Sequence, residues 1–120
     1  MAREVFVDTS GVYALVDRRD AHHVAARRSV ETLVRAGGRL VVTDYVVAET
    51  FTLARARSGA PAALRILDLI EQSAGIRVER IDPARFDATK AFARKHADHA
   101  YSFVDCASFV VMRELRLRQA

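Results

Sequence analysis

With one cysteine in 120 residues the chain cannot close an internal disulfide, so packing alone must hold it together. It also lacks any run near the roughly 18 uninterrupted apolar residues of a membrane span. Its first ten residues, MAREVFVDTS, carry no apolar segment of the kind that opens a signal peptide. A cytoplasmic protein with no membrane partner is therefore expected. Repeats, low-complexity tracts and Pro- or Gly-rich linkers are missing as well, which predicts a single domain over residues 1–120. There is no GxxxxGK[ST] phosphate loop and no GxSxG elbow. Cysteine and histidine do not recur at metal-ligand spacing: His22 and His23 are adjacent, and His96 and His99 flank a loop.

What is present is a composition of 51% hydrophobic and 28% charged residues, which suits a globular domain with a core of its own. A chain of this size buries somewhat under ~70% of the surface its unfolded form exposes. The net charge is +4 and the pI about 9.8. That balance is compatible with a polyanionic partner. However, 17 of the 19 basic residues are arginines spread along the whole chain, which is equally the mark of an arginine-favouring genome.

The order of elements is legible. EVFV at 4–7 reads as a strand buried on both faces and stops at Asp8-Thr9-Ser10-Gly11, where a helix can start. Ala26, Val30, Leu33 and Val34 give residues 20–35 an apolar helical stripe, ended by Gly37-Gly38. Leu40-Val41-Val42 is a second buried strand, and Thr43 or Asp44 caps a helix to about Arg57. Pro61 opens a further helix to about Ser73, IRVERI at 76–81 suits a strand nearer the sheet edge, and Asp82-Pro83 starts a helix to about Lys95. HADHAY is a loop, and the last helix begins at Ser102, apolar all round from Cys106 to Met112 except Ser108. Strands alternating with helices predict an α/β fold with a parallel sheet between helical layers.

In such a sheet ligands bind beyond the carboxyl ends of the strands. Asp8 stands there, after an apolar strand, where an unpaired charge is costly. It admits two readings: a carboxylate awaiting a cation, or the cap of the helix behind it. Glu49 lies in the apolar segment after the second strand, and Asp105 at the mouth of the last helix, where Ser102-Phe103-Val104-Asp105 loosely fits a capping box. Capping explains one carboxylate readily. Three at one sheet end repel one another unless a cation binds among them, and oxygen ligands select hard ions such as Mg²⁺ or Mn²⁺. Arg18, Arg19, Arg27, Arg28 and Arg94 are candidate phosphate contacts near that mouth, Arg18 and Arg19 foremost.

The segments VFVDTSGVYALVDRRDAHHVAA, LVVTDYVVAETFTLA and DHAYSFVDCASFVVMREL resemble, in order, the first three motifs of the PIN-domain family, and in particular its VapC-type toxins. The resemblance implies a three-layer α/β/α sandwich and a Mg²⁺- or Mn²⁺-dependent endoribonuclease that acts on RNA. It also implies a homodimer neutralised by a small cognate antitoxin. It makes Asp8 and Asp105 metal ligands, Glu49 a metal-site or water-positioning acid, Thr9 and Ser102 supporting hydroxyls, and Asp98 a further acid nearby. Family members usually carry another acidic or amide residue after one more strand. Here the chain is expected to stop at Arg116-Leu117-Arg118-Gln119-Ala120 before reaching it. A catalytically degenerate module that binds RNA or an antitoxin without cleavage is the alternative.

Overall fold

The computed structural model describes residues 3–119. Strand β1 (Glu4–Phe6) leads to α1 (Thr9–Val16) and α2 (His23–Arg35). Strand β2 (Arg39–Thr43) leads to α3 (Asp44–Ser58) and α4 (Ala60–Gln72). Strand β3 (Ile76–Glu79) leads to α5 (Pro83–Lys95), α6 (Phe103–Leu115) and β4 (Arg118–Gln119). The four strands form one sheet in the order β3-β2-β1-β4, and every neighbouring pair is parallel. As the alternation predicts, helices flank a parallel sheet, and β3 lies at its edge.

The chain steps from β1 through β2 to β3, then returns over the sheet to place β4 beside β1. Right-handed crossovers therefore put α1–α4 on one face and α5–α6 on the other. Packing agrees: α1 contacts α2, α3 and α4, while α5 packs on α6. The main core joins Phe6, Val7, Leu40, Val41 and Val42 of the strand segments to Val12, Val46 and Val111 from the helices. A second cluster of Tyr13, Ala54, Ala63 and Ile66 seals α1 against α3 and α4. These strands read as unbroken apolar runs because both of their faces are covered.

Helix starts and stops follow local chemistry. Asp8, Thr43, Asp82 and Ser102 each accept a backbone N–H in the first turn of the helix they precede, which satisfies donors the helix cannot pair. Gly37, with φ +81°, ends α2 in a backbone conformation that a side chain would strain.

Two expectations change. Helix α2 begins at His23 rather than Asp20, whose carboxylate instead accepts the His22 N–H at 2.8 Å. None of its residues is fully buried, and Val34 is 45% exposed, because the helix lies at the margin of the layer. The chain does reach a last strand: Arg116, in the left-handed region at φ 54°, turns it out of α6, and Arg118 and Gln119 pair with Val5 and Phe6.

The edge strand β3 is tied by charge to β1 and to the helices α5 and α6. Arg77 bridges Glu4 and Glu79, while Arg85, largely buried, bridges Glu79 and Glu114 at 3.0 and 2.9 Å. Burial alone would raise the Glu79 carboxyl, but the Arg77 and Arg85 guanidiniums outweigh it and hold it below the ordinary 4.5. A depressed carboxyl stabilises the fold above its unfolded pKa, and that contribution disappears as pH falls through the folded value. Thermal unfolding is thus expected to show stability falling as pH drops below about 4.5. Glu79→Gln should flatten that acid limb, and an unchanged limb would assign it to other carboxylates.

Candidate active site

Asp8 leaves the carboxyl end of β1 where the strand order reverses, between β2 and β4. In open α/β sheets that reversal opens the crevice in which ligands bind. The side chain is half-buried and well anchored: Oδ1 accepts from Gly11 N and Ser10 Oγ, both at 2.9 Å. Asp8 therefore caps α1, as one of its two readings expected, from a position at the carboxyl end of β1. Position 11 favours glycine, because a Cβ there would lie 2.5 Å from Val7 Cγ1 and 3.4 Å from Asp8 Oδ1 and would force the Val7 side chain to shift.

Asp105 reaches the same end of the sheet by topology. Since β4 runs parallel to β1, α6 must run against the strands, so its N-terminus lies beyond their carboxyl ends. The capping box is complete: Ser102 Oγ accepts Asp105 N at 3.0 Å, and Asp105 Oδ2 accepts Ser102 N at 2.9 Å. The Ser102 backbone N–H thus holds the Asp105 carboxylate, while the Ser102 hydroxyl is occupied by the Asp105 backbone N–H. A carboxylate in the first turn of a helix is also favoured by the helix dipole.

Glu49 lies in the second turn of α3, half-buried, in a shallow hollow that it shares with Tyr45, Leu53 and Val104 of α6. It makes no hydrogen bond among the described residues. Thr9 Oγ1, next to Asp8, is buried and has no hydrogen-bond partner among the described residues, an exception to the rule that buried polar atoms are paired. Asp98 is different: it is exposed in the loop after α5, with His99 Nε2 at 4.0 Å.

Gln119 is the residue that sequence reasoning missed. From β4 its Nε2 donates to Asp8 Oδ2 at 2.6 Å, so an amide stands beside the carboxylate where the chain was expected to have ended. The partners are 111 residues apart, and no local pattern marks them.

The oxygen-only donors at this end of the sheet, with an orphaned hydroxyl beside them, fit a hard divalent cation in kind. Among the described residues, however, no group of three or more His, Cys, Asp or Glu side chains is gathered closely enough to enclose one. The arginines also part company. Arg18, Arg19 and Arg27 border a cleft at the far end of α1, Arg28 lines a different groove, and Arg94 is exposed near the end of α5.

No helix among the described residues is long and apolar enough to cross a membrane. Residues 5–119 match the PIN domain family. The chain is 35% identical over 117 residues to the 23S rRNA-specific endonuclease VapC20 of Mycobacterium tuberculosis, covering 97% of this chain and 86% of that protein. It is 26% identical over 113 residues to a VapC ribonuclease of Archaeoglobus fulgidus, covering 93% and 72%. The crystal structure of M. tuberculosis VapC20, a sarcin-ricin loop cleaving toxin, superposes with a TM-score of 0.80 at 33% identity over 94% of this chain and 84% of that one. Sequence, strand order and the carboxylate-bearing sheet end agree, and the chain belongs to the PIN-domain family, among its VapC proteins.

Proposed function

We propose that this protein is an endoribonuclease that hydrolyses an RNA phosphodiester with Mg²⁺ or Mn²⁺, and that it is the toxin of a pair with a small antitoxin. The observation that carries the reading is Asp8, a doubly anchored carboxylate at the strand-order reversal of a chain 35% identical to an rRNA endonuclease. Asp8, Asp105 and Glu49 would hold the cation, which when bound neutralises charge on the phosphodiester and makes water a stronger nucleophile.

The chain's own residues divide the remaining work. Gly11 N and Ser10 Oγ fix Asp8, and Ser102 N fixes one oxygen of Asp105. Glu49, unengaged by other described residues, orients the attacking water and accepts its proton. The Thr9 hydroxyl, unpaired among the described residues, is left to bond a ligand beside Asp8, and the Gln119 amide tethers the second Asp8 oxygen. Asp98 takes no part in this division, although its loop leads directly to Ser102. A homodimer is part of the same reading, with sedimentation as its measurement.

The test is cleavage of labelled RNA with Mg²⁺ or Mn²⁺, which a chelator should abolish and added metal should restore. A second reading, a module that binds RNA or an antitoxin without turnover, is favoured by the Gln119 amide on Asp8 Oδ2 and by the absence of a gathered acid group among the described residues. Metal-dependent turnover would exclude it.

A further inference from the structure

The acids assigned to the reaction repel the substrate they would cut, so cations elsewhere must hold its backbone. We infer that the arginine-lined cleft at the C-terminal end of α1 binds the phosphate backbone of the RNA substrate, an assignment that rests on the ribonuclease reading. The cleft has a volume of about 610 Å³, and four guanidiniums border it: Arg18 and Arg19 after α1, Arg27 on α2 and Arg65 on α4. Arg57 adds a fifth cation nearby, stacked 5.3 Å above the Tyr13 ring that lines the cleft. One carboxylate, Asp17, lines the same space, and it is already engaged by Arg19 N at 2.9 Å.

The cations are available and partly organised. Arg19 is steadied by a 2.9 Å hydrogen bond to Ser58 Oγ, and Arg27 reaches Glu31 only at 4.0 Å. Planar guanidiniums suit bidentate contact with phosphate oxygens, and here they come from several elements around one hollow rather than along one helix face. That arrangement fits a folded, negatively charged strand better than an acidic helix, which would need a single row. Helix α1 has eight residues, so the cleft lies about 12 Å along it from Asp8, within reach of one short RNA.

Fluorescence anisotropy with a labelled 2′-O-methyl RNA, which resists cleavage, measures binding in the presence of a chelator across a salt series. The Arg18→Gln/Arg65→Gln double variant is expected to bind about tenfold more weakly, with a salt slope shallower by about 1.4, two contacts at roughly 0.7 each. Arg27→Gln should shift both in the same direction. Arg35→Gln, on the exposed last turn of α2, serves as the control for general charge, and circular dichroism verifies folding. Equal losses in the control, or an unchanged slope in the double variant, would overturn the assignment. So would unchanged RNA binding with loss of binding to a polyglutamate peptide, which would make the cleft a protein-docking site. If the wild type turns RNA over and the double variant keeps its KM, the cleft fails alone. If wild-type protein binds RNA through these arginines but never cleaves it, the cleft stands and the ribonuclease reading fails.

Discussion

Asp8→Asn is expected to lower RNA cleavage by more than about a hundredfold, above the range seen when only an outer partner of a metal ligand is lost, while the protein stays folded. Asparagine caps a helix as well as aspartate does, so the Gly11 N–H keeps an acceptor and α1 keeps its start. The stability change should stay within about 1 kcal/mol, the scale of a lost charge–dipole contact. What disappears is the negative charge facing the crevice. Asparagine would also set an amide against the Gln119 amide, a mismatch that Gln119 relieves by turning its own carbonyl inward. Single-turnover cleavage and thermal melting of the same preparation separate the two effects. Activity within tenfold of wild type, in protein free of contaminating nuclease, would remove Asp8 from the reaction.

The largest expected effect on stability comes from the residue two positions earlier. Phe6 is 0% exposed, in the strand flanked by both β2 and β4, and its register partners are Val41 and Gln119. Phe6→Ala removes the ring from the main core and leaves a cavity between layers that the sheet cannot close, at a cost of about 3–5 kcal/mol. That is a large share of the roughly 5–15 kcal/mol by which domains of this kind are stable. Urea unfolding should show a lower midpoint with the slope retained. A loss below about 1.5 kcal/mol would mean that the surrounding valines repack around the gap. Because Asp8 follows directly on the β1 segment, the variant should also lose activity in proportion to its unfolded fraction.

Much of this molecule could be read locally. The apolar runs at Val5–Val7 and Leu40–Val42 are strands because two covered faces need apolar side chains at every position. Asp82 and Ser102 were legible as helix starts, Asp8 as one of its two readings and Thr43 as one of two candidates with Asp44, because a cap acts within three residues of itself. Asp8, Glu49 and Asp105 stood out for the same kind of reason: a carboxylate after an apolar strand, or within an apolar helix, needs an explanation where it stands. The stripe of α2 gave a helix whose Val30 and Leu33 pack on the core, but spacing does not show how deeply the neighbouring layer covers it.

Composition and pattern by themselves thus determined the fold class and the order of its elements, and singled out Asp8, Glu49 and Asp105 as candidates. The tertiary structure alone decided what joins across the chain: Gln119 on Asp8, and Arg18, Arg19 and Arg27 meeting Arg65 around one cleft instead of ringing the acids. The physical reason is range. Periodicity and capping act over a few residues, whereas the return of the chain over the sheet to β4, and the packing of α1 against α4, bring together side chains whose sequence separation carries no local signal.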